Sequence, residues 1–184
     1  MDNSKIDIAK VKAVILYIIE KSGTIGLHKL FKIIYFAEQD HLVKYGRKIV
    51  NDNYVAMPYG PVASQLFDII NEKRRYSAHS SEHDELLNSI TIINYHISAT
   101  EKPDLEELSI SDMRSLDLSL KDNAHLNMDE LTEKSHKYAW KKAKCKSNSN
   151  GNFMNDLDIA VEGGASEGML GYISECNSIS LMLQ

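Results

Sequence analysis

Two patterns in this chain have residue types that could carry chemistry: a serine between glycines and a set of seven histidines. The GASEG run at 164–168 has the G-x-S-x-G form of a hydrolase nucleophile elbow, in which an acid and a histidine later in the chain activate the serine. The last histidine, His136, precedes Ser166, so this order is not met. We interpret Ser166 instead as a helix N-cap, whose hydroxyl accepts a backbone amide hydrogen.

The histidines have no spacing that predicts a shared metal ion. His28 and His41 are 13 residues apart on one predicted helix, which places them on nearly opposed sides and about 20 Å apart along the axis. His79 and His83 have i, i+4 spacing, but they lie in a polar, loop-like run with no HExxH pattern. We therefore predict no metal and no cofactor, and we expect a structural hydrogen bond rather than catalysis at His136.

Length and composition are those of a folded globular protein. The chain has 184 residues, of which 43% are hydrophobic and 26% charged, and its formal net charge is −5. This charge favours solvated surface over nucleic-acid contact for Lys29, Lys32 and the basic run 73–75. The longest apolar run, 13–19, is too short to span a membrane, and the two cysteines are far apart. We expect a cytoplasmic protein.

The elements that would position these residues are mainly helical. Hydrophobic periodicity predicts one helix at about 5–22 and a second between Thr24 and Gly46, packed as an antiparallel pair. The YVAM segment at 54–57 is typical of a short strand. Pro61 lacks an amide hydrogen and has a fixed φ, so we expect it in the first turn of a third helix.

Further along the chain, alternating apolar and polar residues over 90–97 predict a second strand, which could pair with the first. Another helix should begin after Ser109 or Ser111, and Asn127 with Glu130 resembles a capping box. The pattern predicts a mainly α (α+β) fold, a compact helical domain with a small antiparallel β element.

Three motifs in one order resemble a known family. They are K-x-x-K-x-x-Y-F-A, Y-G-P-V and S-H-x-x-x-W, and together they are similar to the Panacea domain of SocA-like antitoxins and phage-associated proteins. The resemblance covers about residues 5–145. The pattern falls on Lys29, Lys32, Tyr35, Phe36, Ala37, Tyr59, Gly60, Pro61, Val62, Ser135, His136 and Trp140.

This resemblance implies a Panacea-like antitoxin domain at 1–145. The polar run at 144–152 predicts a linker, so we interpret 146–184 as that linker and a short helical C-terminal appendage. Two roles stay open for the motif residues. Their aromatic side chains could form the core while Gly60 and Pro61 set a turn, or some of them could contact a partner.

The resemblance also implies a function. The implied function is that of an antitoxin, which neutralises a cognate toxin, encoded nearby, by direct protein–protein binding and without catalysis. One alternative is a proteolytic adaptor that delivers the toxin to a cytoplasmic protease or its unfoldase. A second alternative is an uncharacterised enzyme, which a pocket joining His136 with Asp40 or Glu38 would favour.

A stable antitoxin interface buries about 1,000 Å² or more around aromatic or aliphatic anchors. Such anchors have to reach solvent, and side chains near the ends of helices and strands can do so. We therefore expect the toxin to contact Tyr45, Tyr54, Met57 and Tyr59.

Overall fold

The computed structural model describes residues 6–75, 83–145 and 151–182. These residues are mainly α-helical with two small antiparallel sheets, which confirms the predicted fold class. The helices are α1 Ile8–Ser22, α2 Leu27–Tyr45, α3 Ser64–Arg75, α4 Asp84–Asn88, α5 Ile110–Asn123, α6 Met128–Ser135, α7 Tyr138–Cys145, α8 Asp156–Glu162 and α9 Glu167–Met182. The strands are β1 Ile25–Gly26, β2 Tyr54–Met57, β3 Gly60–Ala63, β4 Ile90–Ile93 and β5 His96–Ala99.

Helix α2 lies at the centre of the fold. It packs most extensively against α5 and also contacts β3, α6 and α8. Leu30, Ile33, Tyr35 and Ala37 are all fully buried, so neighbouring elements cover more than one face of the helix. The sequence predicts an antiparallel pair of α1 and α2, whereas in the structure α1 lies mainly against β5, α4 and the short 3₁₀ helix Leu105–Glu107.

Most helix ends follow local signals in the sequence. Asp7 caps α1, which therefore begins later than predicted. Gly46 ends α2 in the left-handed conformation, with φ 68°, as expected. Ser109 caps α5 with a reciprocal capping box, and Asn127 caps α6 in the same way. Ser166 accepts an amide in the first turn of α9 at 3.3 Å, which confirms it as a cap.

The first predicted strand is present as β2, but it pairs with β3 and not with the 90–97 segment. Pro61 lies within β3, opposite Ala56, so its predicted place in a helix is wrong. The Ala56 amide donates away from β3, to the Asn152 carbonyl at 2.8 Å. The Ala56–Pro61 pair is therefore a non-hydrogen-bonded one, and the missing amide hydrogen of the proline costs the hairpin no ladder bond.

The segment at 90–97 is not one strand; it contains the turn of a second hairpin. Asn94 and Tyr95 have positive φ values of 48° and 62° and connect β4 to β5, a conformation that matches the twist of two-residue hairpins. As a result Ile93 and Tyr95, which the alternation places on a buried face, are 66% and 65% exposed. Strand β5 also pairs with β1 to complete a three-stranded sheet.

The C-terminal residues pack on the same core as the rest of the chain. Phe153 forms an antiparallel bridge with Val55, so the chain there runs along the outer edge of β2. Ile159 of α8 is fully buried, and Ile173 of α9 is almost so. Helix α8 lies against α2 and α7. The C-terminal helices thus share the interior of the helical body.

Parts of three sequence predictions fall outside the described residues. They are residues 146–150 of the linker, His79, and the side chains of the basic run 73–75. The domain boundary at 145 stays a prediction. Across 6–75, 83–145 and 151–182, no helix combines the length and apolarity needed to cross a membrane.

Candidate partner-binding site

The turn between β2 and β3 is held by side chains from two helices. Three backbone carbonyls in and beside the turn each accept a hydrogen bond from such a side chain. The bonds run from Trp140 Nε1 to the Met57 carbonyl at 2.9 Å, from His28 Nε2 to the Tyr59 carbonyl at 3.0 Å and from Lys32 Nζ to the Pro61 carbonyl at 2.7 Å. We name these three the turn-binding side chains. A carbonyl oxygen can only accept, so His28 carries a proton on Nε2.

Gly60 makes this close packing feasible. Its φ of 101° lies in a region that residues with a Cβ rarely adopt. A Cβ at this position would lie 2.7 Å from Lys32 Cε and would also collide with Ser135 Oγ. Pro58, whose ring fixes φ, suits the first position of the turn, two residues before Gly60. Backbone geometry and space therefore both require a glycine here.

Lys32 is a fully buried lysine. It is 1% exposed, and the hydrogen bond to Pro61 uses one of the three donors of an ammonium group. Burial lowers its pKa to about 7, and no carboxylate among the described residues forms an ion pair with it. The interpretation of Lys32 as solvated surface is therefore wrong. Lys29 is half-buried, and its Nζ donates to the Ala124 carbonyl at 2.7 Å.

His136 lies behind the turn, stacked on Trp140 with ring centroids 3.7 Å apart and planes 12° apart. Its Nε2 is buried and has no hydrogen-bond partner among the described residues. Burial and the positive charge of Lys32 both lower its pKa, which favours the neutral ring. Stacking on Trp140 fixes this ring, and its buried Nε2 does not make the structural hydrogen bond that the sequence predicts with any described residue.

The motif aromatics of α2 build the interior. Tyr35 is fully buried, and its hydroxyl donates to Glu162 Oε1 at 3.2 Å, while the other oxygen of that carboxylate accepts from the Ala139 amide at 2.7 Å. These bonds link α2, α8 and α7. The Phe36 ring meets Tyr35 edge-on at 5.3 Å and lies 4.8 Å from Lys134 Nζ. Both residues therefore have structural roles.

A cavity of about 450 Å³ opens beside the β2–β3 turn. It lies between α2, α3 and the turns of the two hairpins, and its wall is almost entirely apolar. The rings of Phe31 and Phe67 meet in this wall, with centroids 5.8 Å apart. We name it the turn cavity; residues that line it include Phe31, Lys32, Met57, Tyr59, Phe67 and Ile70.

The four predicted anchors lie in different environments. Tyr59 and Met57 line the turn cavity, and Tyr59 is 63% exposed. Tyr45 lies at the C-terminal end of α2, with its ring 4.6 Å from that of His41. Tyr54 is buried in the core, and its hydroxyl has no hydrogen-bond partner among the described residues. The premise that Tyr54 reaches solvent is therefore wrong.

The sequence did not predict the structural roles of two buried carboxylates. Glu38 accepts the amides of Ile49 and Val50, and burial raises its pKa to about 7. Asp52 accepts two amides in the first turn of α3, at 3.1 and 2.9 Å, and burial raises its pKa as well. Apart from the Asn53 amide, which also donates to Asp52, these partners lie 11 to 14 residues along the chain, so no local spacing identifies them.

The residues whose meeting would favour an enzyme have separate partners. Asp40 pairs with Lys44 at 2.8 Å and accepts from Ser115 Oγ at 2.6 Å. Glu38 binds backbone amides, and His136 stacks on Trp140. Within the described ranges, histidine, cysteine and carboxylate side chains form no group of three or more that could hold a metal ion.

Comparison with known proteins gives one match. The family model described as antitoxin SocA-like, Panacea domain, matches residues 30–141, which is more than half of the chain. The chain belongs to the SocA-like antitoxin family. No curated protein and no solved structure matches it. In this SocA-like protein the matched region includes the β2–β3 turn and two of the turn-binding side chains, Lys32 and Trp140, whereas His28 lies just before it.

Proposed function

We propose that this SocA-like protein is an antitoxin that binds and neutralises a cognate toxin encoded beside it, and that it acts in the cytoplasm. The observation that carries the proposal is the family match over residues 30–141. The mechanism is occlusion: the antitoxin covers a surface that the toxin needs and transforms no molecule itself.

The geometry of the β2–β3 turn supports a binding role. Three side chains and a left-handed glycine fix the turn before any partner arrives. Binding to a preformed surface costs little ordering entropy, which leaves more of the contact energy as affinity. Beside the turn, an exposed Tyr59 and an apolar cavity provide the aromatic anchor and pocket that are typical of interface hot spots.

We further propose Tyr59 and Met57 as toxin contacts, with Tyr45 as a more distant one. Tyr54 supports the surface from inside the core. Tyr59→Ala should lower toxin affinity at least tenfold, because a large exposed ring is lost at the centre of the contact. The matched control is Tyr138→Ala, which removes a 49% exposed tyrosine on α7, outside the turn cavity. Equal affinities of the two variants would contradict this assignment.

Expression of the neighbouring reading frame, alone and together with this protein, tests the function. We expect the neighbour to arrest growth when expressed alone and growth to resume when both are expressed. Persistent arrest in cells that contain equal amounts of folded antitoxin would contradict the proposal.

Toxin levels in the rescued cells separate occlusion from adaptor action. Occlusion predicts rescue while the amount of toxin stays constant, including in strains that lack individual cytoplasmic proteases. Rescue that depends on one protease, with loss of the toxin protein, would identify the adaptor mechanism instead.

A further inference from the structure

We propose that the turn cavity is a binding site for an apolar group that carries a carboxylate, and that a segment of the toxin supplies it. The apolar part packs against Phe31 and Phe67, and the carboxylate pairs with Lys32 Nζ. The identity of the occupant as toxin rests on the proposed function, whereas the ligand chemistry of the cavity does not.

The first support is the incomplete bonding of Lys32. The residue lines the cavity and is 1% exposed, and among the described residues its Nζ has one hydrogen-bond acceptor, the Pro61 carbonyl. A buried ammonium group without a counter-ion is strongly unfavourable. A carboxylate is the partner that offsets this cost best, because it supplies both opposite charge and charge-assisted hydrogen bonds.

The second support is the sign of the charges near Lys32. His28 bonds the adjoining Tyr59 carbonyl, and His136 lies behind the turn; the charge of Lys32 lowers the pKa of both imidazoles. No carboxylate among the described residues contributes to the pKa of Lys32. The local groups are therefore either neutral or positive, and the complementary ligand group is an anion.

The third support is the shape and lining of the cavity. A volume of about 450 Å³ lies within the range of small-ligand pockets and has room for a few side chains. The nearby carbonyls of Met57, Tyr59 and Pro61 are already bonded to the turn-binding side chains. The wall that remains is mainly aromatic and aliphatic, so the occupant must be largely apolar.

The rim of the cavity favours a polypeptide segment over an enclosed metabolite. Tyr59 and Tyr95, from the turns of the two hairpins, line the cavity and are 63% and 65% exposed. A segment that fills the cavity can therefore continue across both turns and extend the contact beyond the pocket. Such an extension is needed to approach the area of a stable protein interface.

A pair of small probes tests the ligand chemistry without the toxin. 3-Phenylpropanoate and 3-phenylpropanamide have the same apolar group, but only the first carries a charge. We expect the acid to bind the purified protein at least about tenfold more tightly than the amide at pH 6, where Lys32 is protonated, as measured by NMR titration. Equal binding of the two probes, or no binding of either, would overturn the proposal.

Two lysine variants test whether Lys32 causes the preference for the acid over the amide. Lys32→Met should remove the tenfold preference for the acid, whereas Lys29→Met, one helical turn away, should retain it. If Lys32→Met does not fold, the Lys32 Nζ resonance of the wild-type protein provides the readout: it should shift on addition of the acid and not of the amide. A resonance that responds equally to both probes would overturn the assignment of Lys32.

Competition tests the toxin as occupant. In a purified antitoxin–toxin mixture, 3-phenylpropanoate at ten times its own Kd should raise the apparent Kd for the toxin about elevenfold. An unchanged toxin affinity at this probe concentration would overturn the toxin as occupant. Growth rescue in cells would be unaffected by that outcome, so failure of this inference is distinguishable from failure of the antitoxin function.

Discussion

The two β-hairpins of this protein have turns of equal length that are held in different ways. Asn94 and Tyr95, between β4 and β5, both adopt left-handed φ values, which match the twist of the flanking strands. The β2–β3 turn relies on one left-handed residue, Gly60, and on side chains that α2 and α7 direct at its carbonyls. The β4–β5 turn thus has two left-handed residues and receives a bond from outside, from the Leu27 amide to the Tyr95 carbonyl at 2.9 Å. The β2–β3 turn has one left-handed residue and three bonds from distant side chains, so it depends more on tertiary contacts.

This difference bears on the three motifs on which the resemblance to the family rests. Residues from three distant motifs, including Lys32, Gly60 and Trp140, meet at the tertiary-held turn. Neither the turn nor the cavity beside it could form from a local segment alone. The motifs therefore describe a scaffold, and we expect toxin specificity to come from the exposed residues that this scaffold positions.

The largest predicted effect comes from Gly60→Ala. The new methyl group meets a positive φ and collides with Lys32 and Ser135, so we expect a loss of about 3 kcal/mol or more in the free energy of unfolding, measured by urea denaturation. The matched control is Gly164→Ala, which also has a positive φ but has open space around the Cβ; it should cost about 1 kcal/mol. Similar losses in both variants would show that the turn is not tightly packed.

The next effect is a pH dependence that Lys32 imposes on stability. Below about pH 7 the folded and unfolded chains both hold the lysine proton; above it only the unfolded chain does so, up to about pH 10.5. Stability therefore rises with pH in this window, by about 2 kcal/mol between pH 7 and 9.

The measurement is the difference in unfolding free energy between the wild-type protein and Lys32→Met across this range, which cancels the other titrating groups. A constant difference from pH 7 to 9 would show that Lys32 has an ordinary pKa and is not buried as a cation without a counter-ion.

A smaller effect is expected for Trp140→Phe. This change removes the bond to the Met57 carbonyl and reduces the stack on His136, so the free energy of unfolding should fall by about 1 to 2 kcal/mol. Tyr138→Phe, on the exposed side of the same helix, should change it by less than about 0.5 kcal/mol. Equal effects of the two variants would show that the tryptophan bond does not support the turn.

The smallest effect belongs to the other hairpin. Tyr95→Gly relieves a left-handed conformation that a bulky residue adopts at a cost, and it places Asn-Gly in the turn. We expect stability to increase by less than about 1 kcal/mol, as measured by the urea midpoint, because the loss of the half-exposed ring offsets part of the gain. A loss of more than 2 kcal/mol would show that the contacts of the Tyr95 side chain stabilise this turn more than its backbone conformation does.

Local signals predicted much of the fold. The sequence predicted several helix ends correctly because each end signal acts within one helical turn. They are the caps at Ser109, Asn127 and Ser166 and the end of α2 at Gly46. The position of Pro61 within a strand was not predictable from the sequence. A proline after Gly60 suits both a helix start and a non-hydrogen-bonded strand position, and the sequence does not show that Pro61 pairs with Ala56 or that the Ala56 amide donates to distant Asn152.

The same limit applies to the site. The motif order pointed to the turn, but the burial of Lys32 and Tyr54 depends on elements that pack over them from elsewhere in the sequence. The tertiary contacts of Glu38 and Asp52 span more than one turn or hairpin and carry no periodic signal. Sequence patterns therefore located the region and its motif residues, whereas exposure, bonding and the cavity needed the structure.

Titration of purified toxin with this protein, in the absence of any protease or ATP, tests direct neutralisation most simply. We predict that toxin activity falls in proportion to the antitoxin added until none remains, and that both proteins then elute together in size-exclusion chromatography. Full toxin activity in the presence of excess folded antitoxin, with separate elution of the two proteins, would contradict the account.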